Sequence, residues 1–232
     1  MTQTIDAVAA ARPSQWRVVG AVSAAHFVSH FYILLLAPLI PFVREAYGVS
    51  YTEIGIAFAA FNVVSAVLQT PAGFLVDRLG ARTLLIAGLL LGALAFAVAG
   101  LVHSFAVLVA MFGLAGVGNT VYHPADYALL SQHVRGERIG QAFSVHTFAG
   151  MLGSAVTPAS VLLMQSLWGW RGAFLGAAVF GLFVALVLIA VRDPAPTAPP
   201  RKTARSGGRP DWHVLLLAPS LSLAQPPQRR PA

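Results

Sequence analysis

The chain has 232 residues, of which 57% are hydrophobic and 10% charged, against about 25% charged in an ordinary soluble domain. So little polar surface cannot cover a water-facing fold, which excludes a secreted, a disordered or a nucleic-acid-binding protein; the net charge of +7 is that of cytoplasmic loops facing anionic lipid. There is no cysteine, hence no disulfide and no thiolate metal site.

Uncharged runs extend from Arg17 to Arg44, Glu53 to Asp77, Arg82 to Asp126 and Arg138 to Arg171. A membrane-spanning helix needs roughly 20 apolar residues, so the two shorter runs hold one helix each and the two longer ones have room for pairs. In chain order, 1–16 is a cytoplasmic N-terminal segment, and helices are predicted at 17–43, 54–76, 83–102, 105–131, 140–167 and 172–191. The expected fold is an all-α membrane protein, a six-transmembrane-helix bundle over 17–191. The first apolar run is too long for the core of a signal peptide and reads as a retained helix. Breaks are expected at His103-Ser104 and at Trp168-Gly169-Trp170-Arg171. Pro38, Pro41 and Pro158 mark bends or helix ends, while Gly88, Gly92, Gly172 and Gly176 offer small faces for helix packing.

Arg12, Arg17, Arg78, Arg82, Arg135, Arg138, Arg192, Arg201, Lys202 and Arg205 fall on one side of the predicted bundle, and only Arg44 and Arg171 on the other. By the positive-inside rule both termini are expected to be cytoplasmic. Residues 192–210, rich in Pro and Arg, read as a cytoplasmic linker. Within 211–232, Asp211 to Pro219 resembles the start of a seventh span that gives way to the polar Gln225 to Arg230. A natural interfacial tail and a truncated or frameshifted chain both give this pattern, and truncation is the expectation.

The loop between the second and third predicted helices reads Gly73-Phe74-Leu75-Val76-Asp77-Arg78-Leu79-Gly80-Ala81-Arg82. It resembles the cytoplasmic-loop signature of the major facilitator superfamily. Gly73 and Gly80 are expected to allow close helix approach and a tight turn. Gly73, Asp77, Arg78, Gly80 and Arg82 are the expected gate motif, with Asp77 and Arg78 making contacts in one transport state and losing them in the other. Gly116-Val117-Gly118-Asn119-Thr120-Val121-Tyr122-His123-Pro124, with Ala25-His26-Phe27, is similar to fosmidomycin-resistance-type efflux transporters. Two features depart from that pattern: Phe112 stands where many drug-proton antiporters carry a basic residue, and Asp126 lies one place later than the acid expected after His-Pro. Gly150, Gly153 and Thr157-Pro158 match the antiporter motif of the fifth helix only in part.

The polar residues themselves point to the same helices. His26 and His30 are one turn apart and share a face, about 13 and 20 Å from Arg17 along the axis. Asn119, His123 and Asp126 follow an i, i+4, i+7 pattern on the fourth helix, and His123 and Asn119 lie at about the same two depths measured from Gln132. If the first and fourth helices face each other, as the resemblance implies, these five side chains surround one cavity; Tyr122 belongs to the same stretch. An ionisable group inside a membrane costs at least about 2.5–3.5 kcal/mol on insertion scales. Two readings stand: a substrate and proton pathway, in which a His beside a carboxylate exchanges protons, or local hydrogen bonds to backbone. Asn62, Gln69, His146 and Thr147 are equally well explained by helix-helix bonds.

No phosphate-cradling loop, zinc spacing or nucleophile with a placed base is present. The expectation is a non-enzyme with no metal and no cofactor beyond a proton gradient. It works in the lipid bilayer on a small-molecule substrate and protons, with no nucleic-acid partner. The resemblance implies that the six-helix bundle is the N-terminal half of a major facilitator fold; such a half is expected to present polar groups to its surroundings and to need a homodimeric partner or a C-terminal half. The resemblance implies proton-linked efflux of a small drug-like or anionic compound; metabolite uptake and a non-transporting membrane protein are the alternatives.

Overall fold

The computed structural model describes residues 12–191. Residues 1–11, the expected linker 192–210 and the expected tail 211–232 lie outside them. Every regular element among the described residues is a helix.

The first span is built from α1 (Arg12–Leu34), a 3-10 turn (Ala37–Leu39) and α2 (Ile40–Tyr47). Pro38 has no N–H to offer and its ring would meet the Leu34 carbonyl four residues back, which ends α1 there. Pro41 falls in the first turn of α2, where the missing N–H has no partner to lose. Gly48 closes α2 at φ 65°, ψ 27°, a left-handed cap that glycine adopts without strain. Helix α3 (Tyr51–Leu79) opens on a capping box. The Glu53 N–H donates to Ser50 Oγ at 3.2 Å, and the Ser50 N–H donates to Glu53 Oε2 at 2.7 Å, so two otherwise orphaned donors are satisfied. Helix α4 spans Ala81–Leu101, and the predicted break at His103-Ser104 is present. Ser104 caps α5 (Phe105–Asn119) by accepting from the Val107 N–H.

The fourth span was expected to be one helix. It is instead interrupted at Thr120-Val121 and resumes as α6 (Tyr122–His133). Pro124 cannot bond the Thr120 carbonyl. The Thr120 N–H turns to the Val117 carbonyl at 3.3 Å, and its hydroxyl donates to the same oxygen at 2.7 Å. After a second 3-10 turn (Gly136–Arg138), α7 covers Ile139–Ala190. A straight helix of its 52 residues would run about 78 Å, more than twice the roughly 30 Å hydrocarbon core. Gly169 resolves this with φ 72°, ψ 169°, within the predicted Trp-Gly-Trp-Arg break. Pro158, expected at a bend or end, is carried inside the continuing helix.

Five segments among the described residues are long and apolar enough to cross a membrane: Gln15–Tyr47, Tyr51–Leu79, Ala81–Leu101, Phe105–His133 and Gly136–Ala190. Gly169 divides the last into two, which makes the bundle six-spanned. Helix α1 packs chiefly on α7, α4 on α7 and α5, and α3 on α5. Lipid gives no hydrophobic drive to helix association, so close backbone contact does that work. A Cβ on Gly153 would lie 2.5 Å from the Phe27 carbonyl oxygen, and one on Gly116 2.5 Å from that of Phe61. Tyr32, Phe96, Phe112 and Phe174 interlock edge to face at 4.7, 5.4 and 6.0 Å between successive centroids, a favoured aromatic arrangement. The Tyr32 hydroxyl donates to the Ala177 carbonyl at 3.2 Å.

Candidate functional site

Three helices converge on one carboxylate. Asp126, on α6, is 0% exposed, and around it stand His146 of α7 at 1% and His26 of α1 at 4%. His26 Nδ1 lies 3.5 Å and His146 Nε2 3.8 Å from the same oxygen, Asp126 Oδ2. The two imidazoles stack at 3.9 Å between centroids, 23° from parallel. His26 is the hub, since His30 meets it edge-on at 4.6 Å and His123 at 5.3 Å. Gly150 makes room for this: a Cβ there would fall 2.6 Å from His26 Nε2. His30 Nδ1 pairs with Ser154 Oγ at 3.0 Å.

The cluster is short of hydrogen bonds. Both Asp126 oxygens, His26 Nδ1, His123 Nδ1 and both His146 nitrogens are buried without a hydrogen-bond partner among the described residues. Each such group costs about 1–3 kcal/mol when left unsatisfied, and in lipid there is no water at hand to relieve it. A bundle that keeps six of these atoms at one point holds a polar site there at the expense of stability.

Of the residues that the sequence arranged around one cavity, His26, His30, His123 and Asp126 do come together, in ring-to-ring contact rather than around open space. Asn119 does not join them. Its Nδ2 donates to Ser65 Oγ at 2.8 Å and so ties α5 to α3, on the far side of the interruption at Thr120-Val121 from His123 and Asp126. Tyr122 packs against the buried apolar core, and its hydroxyl, like the cluster's atoms, is buried without a hydrogen-bond partner among the described residues. His146, which helix-helix bonding explains equally well from the sequence, is a central member. Its depth was the available signal: it lies about 12 Å along the helix from Arg138, close to the depth of His26 from Arg17. Asn62 bonds its own helix, donating to the Phe58 carbonyl at 2.9 Å, and Thr147 is exposed.

The Major Facilitator Superfamily profile matches residues 22–226. The chain belongs to the Major Facilitator Superfamily. Members of this superfamily are transporters, not enzymes. The chain is 31% identical over 144 residues to the probable L-galactonate transporter of Escherichia coli K12, an alignment covering 62% of this chain and 32% of that protein. It is 24% identical over 141 residues to the fosmidomycin resistance protein of the same organism, covering 61% and 34%. A bacterial homologue of the human lysosomal transporter Spinster, solved inward-facing and unoccupied, superposes with a TM-score of 0.70 at 16% identity, covering 90% of this chain and 50% of that one. The chain thus matches about a third of the length of these curated relatives.

The superfamily loop divides into two kinds of residue. Gly80 sits at φ 91°, ψ 136° and joins α3 to α4 with no intervening residue, a conformation that side chains rarely adopt. Arg82 donates to the carbonyls of Leu188 and Val191 at the end of α7, satisfying acceptors that a helix C-terminus leaves orphaned, and so ties α4 to the end of α7. Asp77 and Arg78 are exposed. Gly73, expected at a close helix approach, has nothing within 4 Å of where its Cβ would be. With Thr70, Asp77 and Pro124 it lines an open groove of about 260 Å³.

Proposed function

We propose that this chain is the N-terminal half of a proton-linked secondary transporter that exports a small drug-like or anionic compound across the bacterial inner membrane, with both termini cytoplasmic. The observation that carries the reading is the buried Asp126 carboxylate with two imidazoles at 3.5 and 3.8 Å on one of its oxygens. A carboxylate and an imidazole so placed pass a proton with only small side-chain rotation, and His123 and His30 extend the set of nitrogens next to His26. The anionic and drug-like choices draw on relatives named for galactonate and for fosmidomycin resistance. A second six-helix unit, from a homodimer partner or a C-terminal half, completes the substrate path, as in carriers built from two halves. Gly73 and Asp77 line an open groove where that unit would close the gate.

The test is proton-gradient-driven transport in membrane vesicles by the assembled carrier. Asp126→Asn and His146→Gln are each expected to reduce it at least tenfold while the protein still inserts. Full transport by both variants would refute the coupling role.

A further inference from the structure

Gly169 turns α7 back on itself, and two apolar grooves run along its returning arm. One, of about 690 Å³, lies between that arm and Met164 and Trp168 of the outgoing arm. The other, of about 520 Å³, lies between the returning arm and the α4 stretch from Leu90 to Ala97. Leu175 and Val179, one turn apart, line both grooves and form the ridge that parts them. Arg171 is the one charged residue lining either groove, and it stands at the head of the first, beside the turn at Gly169. It lies about 26 Å along the helix from Leu188, close to the thickness of one hydrocarbon core. Because Arg82 holds the Leu188 carbonyl at one membrane boundary, Arg171 belongs to the other, where Trp168 and Trp170 suit an aromatic belt. The guanidinium is held in position, with its Cζ 4.9 Å from the centre of the Trp170 ring, which packs in turn on Tyr47 and Phe174 at 5.5 and 6.0 Å between centroids. Its charge is not balanced: Arg171 forms no ion pair among the described residues, and its buried Nη2 has no hydrogen-bond partner there.

We propose that this ridge holds one two-chained anionic phospholipid, with its phosphate on Arg171 and one acyl chain in each groove. The charge selects the headgroup, since an arginine fork at a membrane boundary takes a phosphate. Neither groove is lined by a carboxylate that could take the ammonium of a zwitterionic headgroup, so a net anion is favoured. The two grooves select the number of chains. Gly172 and Gly176 put no side chain into the first, which lets a chain lie against the helix backbone. The second begins beside Leu175, one turn from Arg171. There α4 closes on the ridge, and a Cβ on Gly100 would meet the Arg171 carbonyl oxygen at 3.0 Å and Leu175 Cγ at 3.1 Å. In the orientation proposed above, this lipid belongs to the leaflet away from the cytoplasm. The site goes beyond the transport reading and does not depend on the direction or coupling of transport.

The full-length chain, delipidated in detergent, would be titrated with phosphatidylglycerol and followed by native mass spectrometry. One molecule retained per chain is expected before any further adduct. Arg171→Gln should weaken that first binding by about tenfold or more, the loss of a charge-assisted bond. Val179→Trp, which sets a large ring on the exposed ridge, should weaken it as well. The wild type should bind phosphatidylethanolamine and the single-chained lysophosphatidylglycerol less tightly. Arg44→Gln should leave binding unchanged: Arg44 is at the same membrane boundary and stacks on Tyr51 at 4.8 Å, but its groove also carries Glu45. Wild-type affinity in both Arg171→Gln and Val179→Trp overturns the proposal. So does a ladder of equivalent adducts, which is annular lipid only, or a lipid-free dimer whose grooves are covered by a second copy. A fluorescence measurement leaves both grooves intact. With Trp16 and Trp212 replaced by Phe, the emission of Trp168 and Trp170 in phosphatidylcholine vesicles should be quenched more by a minor fraction of chain-brominated phosphatidylglycerol than by the same fraction of brominated phosphatidylethanolamine; equal quenching overturns the site. Lipid retention without proton-driven transport would remove the transport reading and keep the site, and transport without retention would do the reverse.

Discussion

Two regions of the bundle lie a few turns apart and are built on opposite terms. Where α1, α4, α5 and α7 meet, Tyr32, Phe96, Phe112 and Phe174 interlock, and the one polar atom that Tyr32 brings is bonded to the Ala177 carbonyl. Where α1, α6 and α7 meet, five polar side chains crowd together and most of their buried atoms are bonded to nothing among the described residues. The first region gains contacts by being packed, while the second is held in place by its neighbours and destabilises the fold that holds it. The difference separates a part of the bundle that maintains structure from a part that carries buried, unsatisfied polar groups.

That contrast breaks if substitutions in the two regions act alike. The largest effect is expected from Phe96→Ala. The alternative to this core is lipid rather than water, so the void left behind is the main cost. At about 24 cal/mol per Å³ over roughly 100 Å³ removed, it amounts to about 2–3 kcal/mol, read as a lowered midpoint of unfolding in mixed detergent micelles.

Asp126→Leu is expected to move the midpoint the other way, by about 1–2 kcal/mol, because it deletes a buried carboxylate whose hydrogen-bonding capacity is unmet. A fall comparable to that of Phe96→Ala would mean that the cluster is structural after all. The smallest effect sharpens the comparison at a third place. Arg82→Ala removes the bonds to the Leu188 and Val191 carbonyls and should cost about 1 kcal/mol, seen as faster amide exchange confined to the last turn of α7. A loss of transport with no change in that exchange would point to a gate role for Arg82 instead.

The bundle follows from properties that run along the chain. Span length, the clustering of charges and the Pro and Gly breaks are local or one-dimensional properties. The breaks at His103-Ser104 and Gly169, the stop before Pro38 and the turn at Gly80 were accordingly legible before any helix was placed against another. The interruption at Thr120-Val121 was in principle readable from Pro124, whereas the bond that draws Asn119 to Ser65 of α3 was not. Membership of the cluster was a different kind of fact. His26 and His30 share a turn, but whether Asp126 turns toward them, and whether His146 or Asn119 completes the set, depends on the rotation of α6 and α7 about their own axes. That rotation is set by close crossings such as Gly153 on Phe27 and by the space Gly150 leaves for an imidazole. Only the tertiary structure decides it, because side chains from three helices, distant in sequence, meet at a point that no helical period within one helix encodes.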